Sequence, residues 1–123
     1  MKILLIVTLV LNFLFEGPVG VFLVLSPEAS LPGGSAEELF WVRNYGVAAM
    51  AIASMALWAW PARTDFRAMG VALGYLMGFH IALAIALFTS GIQPGGAIIH
   101  SVLAVLFVVL YFQRARWCDP QNS

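Results

Sequence analysis

Four long apolar runs constrain this chain more than any other feature of its sequence. Each has roughly 17 to 25 residues, the length that an α-helix needs to cross the hydrocarbon layer of a bilayer. Of the 123 residues, 62% are hydrophobic and only 10% are charged, with a mean hydropathy of +0.93, which is unlike a soluble domain. The sequence therefore predicts an all-α fold, a four-helix transmembrane bundle forming a single integral membrane domain over residues 1–123. The predicted spans are about 3–25, 39–60, 66–88 and 97–112.

Positive charge is distributed unevenly between the two ends of the predicted spans. Only Arg43 lies near the end that carries the acidic loop after the first span. Because cytoplasmic loops are enriched in Lys and Arg, this asymmetry predicts that both termini are cytoplasmic, and we expect a multi-pass protein of the bacterial inner membrane. The other basic residues all fall on the opposite side: Lys2, Arg63, Arg67, Arg114 and Arg116.

The first apolar run has a second interpretation as a cleaved signal peptide, because Lys2 followed by an apolar stretch has that general form. The run is long for a signal core, however, and it contains Glu16. No clean Ala-x-Ala cleavage site follows it. A first transmembrane helix is therefore the favoured interpretation.

Composition and motifs exclude several classes of function. The net charge is zero and no basic cluster is present, so neither nucleic acid nor an anionic membrane surface is indicated as a partner. The apolar runs make membrane lipids the expected surroundings. The single Cys118 excludes an internal disulfide and a CxxC redox pair. No nucleophile elbow, metal-binding cluster or phosphate loop is evident. We therefore expect neither a metal nor a cofactor, and whether the protein is an enzyme stays open.

A stripe of polar residues lies inside the first apolar run. Thr8, Asn12 and Glu16 recur every four residues, which places them on one face of a helix. Pro18 lacks an N–H and is expected to loosen the helix beside the carboxyl group. At the helical rise per residue, Glu16 lies roughly 13 Å below the outer end of its span, nearly level with His80. Charged groups at such depth normally face the interior of a bundle.

The candidate ligand-binding residues are therefore polar groups in the outer half of the four spans. We predict a pocket there that binds a small amphipathic or lipid-like molecule, with Glu16 and His80 exchanging hydrogen bonds or protons. Alternatives are a helix-pairing ion pair between Glu16 and Arg43, an Arg43 that snorkels to the interface, and a His100 that is merely interfacial. The full set is Asn12, Glu16, Arg43, Asn44, His80 and His100.

A haem between His80 and His100 is not expected, because the two positions differ in depth by roughly six residues, or about 9 Å. The third span also carries Gly70, Gly74 and Gly78 in a GxxxGxxxG pattern, which is typical of close helix packing. A second copy or a membrane-complex partner could dock there. Since His80 lies about 200° round the helix from Gly78, the glycine face and the histidine face are expected to meet different neighbours.

The layout also resembles that of known membrane families. The stretches FWVRNYG, TDFRAMGVALGYLMGFHIAL and IIHSVLAVLF, with the Gly-Pro pair in the first span, resemble the DoxX-like group of small four-helix membrane proteins. That resemblance covers most of the chain in layout. It implies a four-helix bundle, often without an assigned activity, and in some relatives an association with respiratory or redox complexes. It carries over no catalytic residue.

The position of Glu16 is similar to that of the first-helix glutamate of the small multidrug resistance transporters, which exchange protons for cationic drugs. The acidic loop after the first span, Arg43 and His80 depart from that pattern. Three functions follow in order. A ligand-binding membrane protein comes first, a structural or interaction subunit of a membrane complex second, and a proton-coupled small-molecule exporter third.

Overall fold

The computed structural model describes residues 1–91 and 93–118, and this part of the chain is helical without any β-strand. The all-α class is thus confirmed. The long helices coincide with the four predicted spans to within three residues at every end. The elements are α1 (Lys2–Leu25), α2 (Pro27–Ser30), α3 (Ala36–Ala59), α4 (Phe66–Ser90), α5 (Pro94–Gln113) and a 3₁₀ helix (Arg114–Arg116).

Three of the described segments are long and apolar enough to cross a membrane: Lys2–Leu25, Phe66–Ser90 and Pro94–Arg116. They agree with a multi-pass membrane protein. Helix α3 is not among them. Arg43 and Asn44 lie about two turns into it, and only 15 residues of the helix, 45–59, follow them, fewer than the roughly 20 that a span needs.

Contacts divide the chain into two compact units. The α1–α3 unit comprises Leu9–Leu57. The α4–α5 unit comprises Met1–Thr8 together with Trp58–Ser123, of which the structure describes the residues up to Cys118 except residue 92. Helix α1 contributes to both units, and it runs without interruption through Pro18.

Two glycines hold the α1–α3 unit together. A Cβ placed on Gly20 would lie 2.7 Å from the carbonyl oxygen of Gly46, and one placed on Gly46 would lie 2.8 Å from the carbonyl oxygen of Gly20. One turn earlier on α1, a Cβ on Gly17 would lie 3.7 Å from the Cβ of Ala53. The two helices therefore cross backbone to backbone, as small residues allow in membrane proteins.

The helix ends are fixed by local hydrogen bonds. Ser35 and Glu38 form a reciprocal capping box at the start of α3: the N–H and Oγ of Ser35 donate to Glu38 Oε2 at 2.8 and 2.7 Å, and the Glu38 N–H donates to Ser35 Oγ. These bonds hold the pKa of the Glu38 carboxyl group below its usual value. Asp65 caps α4 by accepting from the Ala68 N–H at 2.8 Å. Gly91 ends α4 with a φ of 68°, a conformation that favours glycine.

In the α4–α5 unit, the glycine pattern on α4 faces α5. A Cβ on Gly70 would lie 3.3 Å from Arg114 Nε, and one on Gly74 would lie 3.4 Å from the ring of Tyr111. A Cβ on Gly78 would meet no atom within 4 Å.

His80 also contacts α5, through His100. The prediction that the glycine and histidine faces meet different neighbours is therefore wrong for Gly70 and Gly74. Gly70 lies only about 80° round the helix from His80, within the breadth of one contact stripe.

Candidate functional site

Several polar side chains of these apolar helices are buried inside the protein. In the described residues they are Thr8, Asn12, Glu16, His80 and His100, each at most 3% exposed. The predicted polar stripe of α1 is thus buried along its whole length. A buried polar group is costly unless it has hydrogen-bonding partners, so these side chains are the first candidates for a functional site.

Two of the predicted ligand-binding residues lie at the surface instead. Arg43 Nη2 donates to Glu28 Oε1 at 3.1 Å, and the two side chains are 54% and 61% exposed. Asn44 is also exposed. The alternative in which Arg43 pairs with Glu16 is therefore wrong, because the loop helix α2 supplies Glu28 as a partner that needs no desolvation.

Within the α1–α3 unit, Asn12 links the two long helices. Its Nδ2 donates to the carbonyl oxygen of Ile52 at 3.2 Å. Tyr45 of α3 lies near Glu16, a relationship that the sequence did not predict. The only sequence signal for it is its position one residue before Gly46, where α3 touches α1.

An open groove of about 560 Å³ lies between α1 and α3 in the same unit. It forms where Gly17 and Ala53 leave space between larger side chains on either side. Ser54 is the one polar side chain among its described lining residues, and its Oγ donates to the Ala51 carbonyl oxygen of its own helix. The walls are therefore hydrocarbon. They are formed by Phe13, Gly17, Pro18, Val21, Phe22, Met50, Ala53, Ser54 and Leu57.

The groove was not predicted from the sequence. The sequence does contain a feature that fits the groove. Each of the two apolar helices has a pair of consecutive residues without a bulky side chain, Gly17-Pro18 on α1 and Ala53-Ser54 on α3. Nothing in the sequence shows that the two pairs face one another, because that depends on the register of α1 against α3.

The α4–α5 unit brings the two histidines together. The Nδ1 atoms of His80 and His100 lie 2.9 Å apart, so the predicted separation of about 9 Å in depth is wrong. That separation was obtained by counting residues from the predicted ends of the two spans. Helix α5 begins at Pro94, three residues before its predicted start, which places His100 nearly two turns into the helix. His100 is thus a buried partner of His80 and not an interfacial side chain.

Aromatic rings surround this histidine pair. The ring of Phe107 stacks on His80 at a centroid distance of 5.4 Å and an angle of 11°. Phe79 presents its ring at a steep angle to both histidines, with centroid distances of 5.2 and 6.2 Å. The imidazole rings are thus packed against hydrocarbon neighbours.

Arginine and aromatic side chains fill the end of the α4–α5 unit where the 3₁₀ helix meets the start of α4. The guanidinium group of Arg114 lies over the rings of Phe66 and Tyr111, at 4.2 and 4.4 Å from their centroids. Cys118 donates from Sγ to the Arg63 carbonyl oxygen at 3.5 Å. Burial raises the pKa of its thiol, so this cysteine is not an activated nucleophile.

Comparison of the chain with protein-family models, curated proteins and solved structures gives no match. The resemblance to the DoxX-like group therefore stays a prediction, and function must be inferred from the chain's own residues. Two features of the described residues bear on it. The groove in the α1–α3 unit can hold a hydrocarbon chain, and the histidine pair in the α4–α5 unit can share a proton or bind an ion.

Proposed function

We propose that this protein is a four-span integral membrane protein, with both termini cytoplasmic, that binds a small amphipathic or lipid-like molecule. In this proposal α3 is the fourth span. Beside the exposed Arg43 and Asn44, the helix exposes several apolar side chains that could contact lipid: Phe40, Trp41, Val47, Leu57 and Trp58. The arginine-rich end of the α4–α5 unit supports the orientation through the positive-inside rule, and a bacterial inner membrane suits such a protein.

The groove between α1 and α3 is the observation that carries this proposal. Its volume of about 560 Å³ lies within the range of roughly 300 to 1,000 Å³ typical of small-molecule sites. Phe13, Val21 and Leu57 on its walls are 40%, 45% and 64% exposed. Because the groove opens to the surroundings and is lined by hydrocarbon, an acyl or similar apolar chain fits it best.

Polar groups for the head of such a ligand belong to the same unit. Glu16 and Asn12 each lie one residue before a groove residue, Gly17 and Phe13. Tyr45 of α3 lies near Glu16. We infer that the apolar part of the ligand occupies the groove while its polar end exchanges hydrogen bonds with this part of α1 and α3.

Filling the groove tests the proposal. Gly17→Leu places a branched side chain into the groove, and its first carbon fits because a Cβ there lies 3.7 Å from Ala53. Native mass spectra of protein extracted gently from its own membrane should show a small-molecule adduct for the wild type and none for Gly17→Leu. Glu16→Gln, measured alongside, should weaken retention of the adduct if the head group binds near the carboxyl group.

Gly78→Leu is the matched control, because it adds the same side chain to a transmembrane helix at a position with no atom within 4 Å. It should keep the adduct. If Gly17→Leu retains the adduct as fully as Gly78→Leu does, the groove is not the binding site.

A structural or interaction subunit is the second candidate. Gly78 favours it, since this glycine leaves open space on α4 that a helix of a partner or a second copy could approach closely. Gly70 and Gly74 are covered by α5 and contribute nothing to such a surface. In this alternative Gly78→Leu changes the oligomeric mass or the co-purifying partner, whereas Gly17→Leu leaves both unchanged. Proton-coupled export stays a prediction.

A further inference from the structure

Three buried side chains that can bind a metal hold their ligand atoms close together. Glu16, His80 and His100 each offer one such atom, a carboxylate oxygen or an imidazole nitrogen, and the three atoms all lie within 4.8 Å of one another. The side chains are 1%, 0% and 3% exposed. Because the three residues are far apart along the chain, the sequence could not predict this group, which we call the Glu-His-His cluster.

The chemistry of the cluster is that of a transition-metal site. Imidazole nitrogens bind zinc, copper, iron and nickel well, and a carboxylate oxygen adds an anionic ligand. Two histidines and one glutamate hold the zinc ion of several metallopeptidases, and two histidines with one carboxylate hold the iron of non-haem oxygenases. In both classes the protein supplies three ligands and leaves at least one position on the metal open.

The spacing within the cluster is near that of a loaded site. Ligand atoms at about 2.1 Å from a zinc ion lie about 3.4 Å apart in tetrahedral geometry. The Nδ1 atoms of His80 and His100 are 2.9 Å apart, and no pair of the three ligand atoms is separated by more than 4.8 Å. The terminal torsions of His and Glu side chains have broad energy wells, so a closure of about 1.4 Å for the widest pair is within their reach.

We propose that Glu16, His80 and His100 bind one divalent transition-metal ion. Zn(II) fits best, because it accepts three protein ligands and keeps its fourth position for water or another small ligand. The ion requires two neutral imidazoles and a carboxylate, so any proton on Glu16 is released as the metal enters. Each imidazole binds through a ring nitrogen that carries no hydrogen.

Charge and packing both favour an ion at this place. A buried carboxylate is costly unless positive charge offsets it, and buried charges in proteins are paired or coordinate metals. Phe79 and Phe107 contact the imidazoles with their rings. Such a hydrocarbon shell limits the access of water to a bound metal. The groove between α1 and α3 has other lining residues, so the proposed metal site does not rest on the proposed ligand.

The test is a metal titration of the purified full-length protein, produced without a histidine tag and stripped with a chelator. Zn(II) is added against a chromophoric indicator, and Fe(II) is added in a parallel series without oxygen. Wild type should bind one ion per chain. Loss of an outer-shell partner costs about 10- to 100-fold in metal affinity, so removal of a ligand in Glu16→Gln, His80→Gln or His100→Gln should cost about 100-fold or more.

Cys118→Ser is the matched control, because the thiol is the other strong zinc ligand in the chain, and this variant should bind as wild type does. X-ray absorption of the Zn(II)-loaded Cys118→Ser protein gives a result that does not depend on whether the ligand variants fold. Nitrogen and oxygen neighbours with imidazole scattering, and no sulfur, are expected. Because the chain has two histidines, ¹⁵N-histidine labelling should show both rings changing together on loading.

If Cys118→Ser binds neither Zn(II) nor Fe(II), or if the ligand variants bind as tightly as wild type, the cluster is a hydrogen-bonded network that joins helices and the proposed metal site is wrong. Gly17→Leu separates this outcome from failure of the groove proposal. It should lose the small-molecule adduct and still bind one metal ion per chain.

Discussion

Gly20 and Gly46 bring the backbones of α1 and α3 into direct contact. A Cβ added to either glycine would lie 2.7 to 2.8 Å from the carbonyl oxygen of the other, which is too close unless the atoms move apart. The contact sets the separation of the two helices at this point. The separation in turn influences the depth of the groove, whose lining residues Gly17 and Val21 lie on either side of Gly20 along α1, so the glycine contact helps to position the candidate site.

Gly20→Ala is therefore expected to destabilise the protein. The added methyl group meets the Gly46 carbonyl oxygen and the Met50 backbone nitrogen at 2.7 and 2.9 Å, and backbone atoms cannot rotate aside as a side chain can. Overpacking of this kind costs typically about 1 to 3 kcal/mol. Unfolding in a fixed detergent, followed by circular dichroism, would measure the loss. Gly95→Ala, where nothing lies within 4 Å, is the control, and equal effects of the two variants would show that the helices are not in close contact.

Asn12→Leu should also lower stability, because it removes the hydrogen bond from Asn12 Nδ2 to the Ile52 carbonyl oxygen, which joins α1 to α3. Hydrogen bonds between membrane helices contribute about 0.6 kcal/mol on average and up to about 1.7. Ser101→Ala serves as the comparison, since Ser101 Oγ donates to Ala97 of its own helix and joins no second helix. An Asn12→Leu protein as stable as Ser101→Ala would mean that this bond adds nothing to the pairing of α1 and α3.

The positions of the helices could be predicted from the sequence, whereas their lateral partners could not. Apolar runs report directly on which residues avoid water, and α4 begins at Phe66 as the pattern predicts. The contact of Gly20 with Gly46 depends on helix register, and no periodicity encodes that register. The short α2 was missed as well, because four residues cannot establish a pattern.

The candidate site shows the same limit. Burial of Asn12 and Glu16 follows from their spacing on one face of an apolar helix. The pairing of Arg43 with Glu28 and the contact of His80 with His100 were both missed, since depth along the chain gives a position in one dimension only. A small tilt of a helix, or a helix that begins one turn earlier than predicted, changes which side chains contact one another.

The capping box of α3 should make the start of this helix sensitive to acid. The hydrogen bonds from Ser35 hold the pKa of Glu38 below its ordinary value of 4.5, so the folded state favours the carboxylate. Its stabilising effect is complete above pH 4.5 and is lost as the pH falls through the lower pKa of the folded state.

Hydrogen exchange of the first-turn amides of α3 between pH 6 and pH 3, corrected for intrinsic rates, would show the protection of these amides falling. Glu38→Gln removes the titrating group and should abolish that pH dependence. If it persists in Glu38→Gln, another group controls the start of the helix.

Cys118 should react slowly with alkylating reagents in the folded protein. Burial raises the pKa of the thiol, the positive charge of Arg114 lowers it in part, and Asp65 raises it further. Since the thiolate is the reactive form, a raised pKa means a smaller reactive fraction at pH 8, and a side chain only 5% exposed limits access as well. The alkylation rate at pH 8, measured by mass spectrometry, should rise strongly on unfolding in denaturant. A folded protein that reacts as fast as the unfolded chain would show that the contact of Cys118 with the Arg63 carbonyl oxygen does not persist in solution.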